Sequence, residues 1–235
     1  MKDVFIQLFG IPYGAVAFQL LEATQFTIYL SAIAFLGGGL IGALCAVARI
    51  SPIRGLQRVS GAYIWLFQST PLLMLLFLMG LGVPRLFGQD IDPWFAATVS
   101  LSLYASAYLA EVWRGAIQSV PVGQWEGGKA LGLGFLRTLR VIVLPQAIRR
   151  ALAPTVGFLV QIIKGTSLAY IIGFHDLMAV GRRWANAPVD GTEPFLIYPA
   201  MALIYFALCF PLSRLALRLE RRLGQDGGGP HPTTA

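Results

Sequence analysis

The chain has 235 residues, 56% hydrophobic and only 12% charged, with a mean hydropathy of +0.68 and a net charge of +7. Soluble domains carry about twice that charged fraction, so the composition excludes a soluble globular enzyme and indicates an integral membrane protein with small loops. The positive charge does not signal a nucleic-acid partner, because the basic residues are not clustered on a soluble domain and orientation in a bilayer accounts for them.

The opening stretch, MKDVFIQLFGIPYGAVAFQLLEATQ, makes a poor signal peptide. Its apolar run breaks at Gly10-Ile11-Pro12 and no small-residue cleavage site follows. Gln7, Pro12 and Gln19 interrupt Val4 to Leu21, which predicts an interfacial helix rather than a span. Five later stretches reach the roughly 20 apolar residues a spanning helix needs: Thr24 to Ala48, Tyr63 to Val83, Trp94 to Trp113, Leu152 to Phe174, and Phe195 to Leu217. The expected class is therefore an all-α membrane protein with five transmembrane helices.

Thirteen of the 18 basic residues fall on one side of those spans. They are Arg49, Arg54 and Arg58 after the first; Arg114, Lys129, Arg137, Arg140, Arg149 and Arg150 between the third and fourth; and Arg214, Arg218, Arg221 and Arg222 at the last. The positive-inside rule makes that side cytoplasmic. Asp90, Asp92, Asp176, Asp190 and Glu193 face the other way, against Arg85, Arg182 and Arg183. The N-terminus is then periplasmic, and the C-terminus cytoplasmic with a flexible tail, GQDGGGPHPTTA.

Within the first span, Gly38 and Gly42 form a small-xxx-small pair suited to close helix packing. Trp65, Trp94, Trp113 and Tyr198 sit near span ends as interfacial anchors. Cys45 and Cys209 lie in apolar segments as small core residues. His175 and His231 are isolated, so no metal cluster is legible.

Polar residues inside spans are expensive and therefore informative. The second span contains Gln68-Ser69-Thr70-Pro71 and the fourth contains Lys164-Gly165-Thr166-Ser167. Gln68 and Lys164 each lie about ten residues, or roughly 15 Å, from the cytoplasmic ends of their helices, near the bilayer midplane. Pro71 frees the carbonyl of Phe67 and Gly165 weakens its helix, the pattern of a translocation site built on interrupted helices. The Lys164 ammonium can bind a substrate carboxylate or pair with an acid such as Glu111. Glu111 can instead pair with Arg114 on its own helix, the cheaper arrangement.

Val122 to Pro145, VGQWEGGKALGLGFLRTLRVIVLP, is the longest connection on the basic side. Gly123, Gly128 and Lys129 mimic a phosphate-binding loop, but no buried strand precedes them and Ala130 replaces the magnesium-binding hydroxyl. ATP binding by this chain is not expected. Two short helices fit better: Glu126 to Leu131 and Phe135 to Val143, with Gly132 and Gly134 providing the turn. Phe135, Leu136, Leu139 and Val143 share a face, and Leu144-Pro145 is expected to end the second helix. The spacing alone suits either docking on a cytoplasmic partner or rest on anionic lipid headgroups.

This stretch resembles the signature loop of ABC-transporter permeases, E-A-A, three residues, G, nine residues and an aliphatic-x-L-P ending. Glu126, Ala130, Gly132, Ile142, Leu144 and Pro145 match. Gly127 and Gly128 depart from the two alanines that the family prefers, which loosens the first helix by about 1 kcal/mol per glycine. YLAEVWRGAIQSVPVGQWEGGKALGL, VLPQAIRRALAP, IKGTSLAYIIG and STPLL extend the resemblance, from about Phe26 to Leu219, to permeases of the polar amino acid uptake group. Gln68 departs from the arginine common there.

The resemblance implies an importer subunit of the bacterial inner membrane, multi-pass, with a cytoplasmic coupling helix between the third and fourth spans. Residues 1–23 would form an N-terminal interfacial segment, 24–219 the permease domain with its coupling loop at 117–150, and 220–235 the tail. Its partners would be an ATP-binding-cassette ATPase dimer, a second permease chain, identical or paralogous, and a periplasmic amino-acid-binding protein, with an amino acid as substrate. ATP and magnesium would belong to the ATPase, and this chain would bind no cofactor. Two rivals predict otherwise: an ion-coupled transporter working alone, and a non-transporting membrane scaffold. The first lacks a second intramembrane acid and an inverted repeat.

Overall fold

The computed structural model describes residues 2–189 and 192–224, where every regular element is helical. Asp190 and the tail beyond Gly224 lie outside the described residues. A short helix α1 (Lys2–Phe9) precedes α2 (Tyr13–Ile50), which is 38 residues long. Pro52 stops α2 because the residue before a proline is driven out of the helical region, and Ser51 is extended at ψ 148°.

The next segment is a broken helix. α3 (Arg54–Ser69) ends at Thr70, which is extended before Pro71, and the chain resumes as α4 (Leu72–Phe77), a π-helical turn (Leu78–Gly82) and α5 (Val83–Phe87). The two halves bend by 96°. The break falls at the expected interruption and has the expected cause, a proline that cannot continue the ladder.

Asp92 caps α6 (Pro93–Gln118) by accepting from the Phe95 N–H at 3.2 Å. Then follow α7 (Val122–Ala130), α8 (Phe135–Thr138), a π-helical turn (Leu139–Val143), α9 (Leu144–Thr166) and a 3-10 segment (Ser167–Ile172). α10 (Leu177–Ala185) and α11 (Pro194–Gly224) complete the chain. Among the described residues four stretches are long and apolar enough to cross a membrane: α2, α6, the continuous Phe135–Ile172, and Pro194–Leu223; the bent pair is a candidate fifth.

Three expectations need correction. Tyr13 to Ala23 is no separate interfacial helix: it begins α2, and Val16, Leu20 and Ala23 are buried there because α10 and α11 pack on them. A boundary at residue 23 falls inside a helix. Leu144-Pro145 ends nothing either, since Phe135–Ile172 is one 38-residue run. Pro145 sits in the first turn of α9, directly after the π-helical turn, where its fixed φ is helical and an i−4 bond is already interrupted. At the other end, α11 continues to Gly224, past the expected start of the tail.

Small residues set the central packing. Ala34, Gly38, Gly42 and Ala46 recur every fourth residue on the buried face of α2, against α6. A Cβ at Gly38 would stand 2.6 Å from Ala105 Cβ, and one at Gly42 would stand 2.9 Å from the Ser106 carbonyl oxygen. The backbones therefore meet as the small-xxx-small spacing predicts. Leu30, Leu101, Leu109, Phe158 and Ile162 complete this core from α2, α6 and α9. Two of the expected interfacial anchors are half-buried against the body. Trp94 stacks edge-on against Phe174 with ring centroids 4.7 Å apart, and Trp113 donates its indole N–H to Thr155 Oγ1 at 2.9 Å. Trp65 stays exposed.

Candidate functional site

The insert folds into a surface knob with a defined underside. Trp125 stacks on Phe135 with ring centroids 5.8 Å apart, and both pack against a small core of Ile117, Val120, Leu139, Val143 and Ala147. Leu144 is half-buried at the edge of that core, while Pro145 is exposed. Gly128 is the single buried residue of α7, and a Cβ there would meet Thr138 Cγ2 at 2.5 Å and Oγ1 at 2.7 Å. Only glycine lets α7 lie this close to α8. Glu126, Gly127, Lys129 and Ala130 are exposed, as are the apolar Val122 and Leu131.

The turn is a Schellman motif. The Gly132 N–H bonds to the Lys129 carbonyl at 2.9 Å and the Leu133 N–H to the Gly128 carbonyl at 3.0 Å, with Gly132 left-handed at φ 73°. Gly134 does not share that role: its φ is −68°, open to any residue, and its carbonyl starts α8 by accepting from Arg137 and Thr138. Leu136 also departs from its expected face and is exposed.

The polar clusters of the two interrupted helices come close but do not merge. Gly165 lies against the break, where a Cβ would stand 3.0 Å from Leu72 Cδ2. Gln68 donates to the Ala107 carbonyl on α6 at 3.3 Å, and Thr70 Oγ1 donates to Leu66 at 2.8 Å. Ser69 is exposed. Thr166 is buried and donates to Ile163 at 2.8 Å; Ser167 Oγ donates to the Lys164 carbonyl at 2.6 Å. Glu111 takes the cheaper of its two expected arrangements, a two-pronged ion pair with Arg114, which also reaches Gln118. Lys164 has no hydrogen-bonding or ionic side-chain partner among the described residues. It lines a cavity of about 630 Å³ between α9, α10 and α11 together with Ser167, Tyr205 and Ser213.

Sequence reasoning missed a buried polar junction. Asp176 is wholly buried and caps α10 by accepting from the Ala179 N–H at 2.9 Å. Its second oxygen makes no hydrogen bond of normal geometry among the described residues, and the Tyr205 hydroxyl lies beside it. Burial pushes the Asp176 carboxyl up to about 6, against the lowering effect of its backbone donors. Thr27 of α2 joins them by accepting from the Leu177 N–H at 3.3 Å. Asp176 followed by the short helix was the available signal, an N-cap spacing.

Residues 38–225 match the model of the family described as binding-protein-dependent transport system inner membrane component. The chain belongs to that family. It is the membrane component of an ABC importer, of the kind that depends on a separate substrate-binding protein. Relatives include the L-cystine transport system permease protein TcyB of Bacillus subtilis, 35% identical over 84% of this chain and 83% of its own length. The glutamine transport system permease protein GlnP of Escherichia coli K12 is 33% identical over 87% of this chain and 92% of its own. In three dimensions the chain is similar to a crystal structure of an amino acid ABC transporter, with TM-score 0.79, 30% identity, and coverage of 87% of this chain and 94% of that one. The fold also matches the inward-facing MetNI methionine ABC transporter at TM-score 0.68 and 20% identity, covering 88% and 95%.

Proposed function

We propose that the chain is the permease subunit of an amino acid importer in the bacterial inner membrane, providing half of the pathway. Its five spans, the bent pair counted as one, put the arginine-rich ends in the cytoplasm and the N-terminus in the periplasm. α7, with Glu126, Gly127, Gly128, Ala130 and Gly132 and the following Leu144-Pro145, is the coupling element that sits on the ATPase dimer. ATP and magnesium belong to that ATPase, and this chain catalyses nothing. A second permease chain and a periplasmic amino-acid-binding protein complete the assembly. Amino acid cargo follows from the names of the relatives, from L-cystine to glutamine. Lys164, with no acidic partner among the described residues, offers the cation that an amino acid carboxylate needs at the membrane interior. Ser167 stands beside it, and Thr166, Gln68, Ser69, Thr70 and Glu111 shape the helices around it.

The observation that carries this reading is α7 itself, held to the body by Gly128 and Trp125 while Val122, Glu126, Gly127, Lys129 and Ala130 stand exposed. The experiment is ATP-driven uptake in vesicles with the cognate ATPase and binding protein. Gly132→Asp forces a side chain into a left-handed turn and should abolish uptake by at least tenfold while insertion continues. Lys164→Met should impair uptake and leave ATPase assembly intact. Unchanged transport in both variants refutes the reading, as does uptake driven by an ion gradient without the ATPase.

A further inference from the structure

A groove of about 490 Å³ runs between α9 and α11 at their arginine-rich ends. Arg149 and Arg150 stand at its mouth, Glu220 stands across from them, and Gly157, Leu217 and Leu223 form its apolar length. The depth is specific. Arg149 lies roughly 35 Å along the helix from Ile172, and Leu217 the same distance from Pro194. That is about one hydrocarbon thickness, so both guanidiniums sit at headgroup level when the far ends reach the opposite interface.

The groove is unlike a random basic surface in two ways. Arg150 is fixed, because it donates to the Ser119 carbonyl and, at 3.1 Å, to Ser119 Oγ, while Arg149 keeps all its donors free among the described residues. The wall between the helices is open: a Cβ at Gly157 would meet nothing within 4 Å. One fixed and one free guanidinium above an open apolar slot match a phosphate joined to an acyl chain. Two arginines and one glutamate leave a local charge of +1, which complements a lipid with one net negative charge better than a zwitterion.

We infer that this groove is a binding site for an anionic phospholipid of the phosphatidylglycerol type. Arg149 and Arg150 hold its phosphate, Glu220 accepts from a headgroup hydroxyl, and one acyl chain lies along Gly157 and Leu217. Such a lipid fills the seam between α9, which continues from the coupling element, and α11, and makes their relative position depend on membrane composition. The groove continues the α9–α11 seam that lines the Lys164 cavity further along, and the lipid occupies the seam's arginine-rich end; the proposed orientation serves only to name the cytoplasmic leaflet.

The test is native mass spectrometry of the full chain, purified in mild detergent with its co-purifying ATPase and titrated with phosphatidylglycerol or phosphatidylethanolamine. The expected result is preferential retention of phosphatidylglycerol, about fivefold weaker in Arg149→Gln and lost in Gly157→Phe, whose ring enters the slot without moving the backbone. Equal retention of the two lipids overturns the inference. So does undiminished phosphatidylglycerol in Gly157→Phe. If Arg149→Gln releases the ATPase and keeps the lipid, the groove is a subunit-docking surface and the inference is wrong. None of these outcomes bears on whether amino acids are carried.

Discussion

Three glycines of the insert look equivalent in one dimension and are not. Gly127 is exposed with open space around it, so its absent Cβ only lowers helix propensity. Gly128 is the contact itself, with Thr138 at van der Waals overlap for any added carbon. Gly132 is needed for its left-handed backbone. The departure from two alanines is therefore half loosening and half fit. Gly127→Ala should slow amide exchange in α7 by up to about fivefold, the equivalent of about 1 kcal/mol. Gly128→Ala should lift α7 and lose ATP-driven uptake, with partial recovery in Gly128→Ala/Thr138→Ala, where the branched side chain is gone. If Gly128→Ala transports normally, the close approach of α7 and α8 has no functional weight.

At the level of elements, proline position separates two outcomes that share a residue type. Pro71 breaks its helix and turns the chain by 96°, because the residue before it is extended. Pro145 does nothing of the kind, because it falls in a first turn next to a widened one. The sequence supplied the first break from local rules alone. It could not supply the continuity through Pro145, since a π-helical turn is visible only when neighbouring turns are placed. The α2–α6 contact is where packing is least forgiving. Gly38→Leu should lower the thermal midpoint in detergent markedly, as overpacking by 1–3 kcal/mol or more would. Gly39→Ala meets Trp113 at an ordinary 3.6 Å and should be neutral. Equal midpoints for the two variants would show that this interface tolerates separation.

Across the whole molecule, Asp176 is the point where three elements meet. It caps α10, lies beside Tyr205 of α11, and adjoins the Leu177–Thr27 bond to α2. The carboxyl is raised from about 4 when unfolded to about 6 when folded. The folded state thus binds the proton more tightly, and stability is full below pH 4 and falls as pH rises from about 4 to about 6. Asp176→Asn keeps the cap and removes the charge. Its thermal midpoint should exceed the parent's at pH 7.5, and the gap should close towards pH 4. Parallel pH curves for parent and variant would mean that the buried carboxyl is not the titrating group.

The sequence by itself determined the class and the identity of the parts: apolar runs of spanning length, a charge bias, a signature ending in Leu144-Pro145, and a small-residue stripe on the first long helix. Those are local properties, set by composition and by backbone rules that act over a few residues. Tertiary structure decided which of them touch. It drew Tyr13 to Ala23 into the body, packed Trp94 on Phe174 and Trp113 on Thr155, gave Lys164 a cavity and buried Asp176. Each depends on the distance between segments far apart in the chain, and no spacing rule within one helix carries that distance.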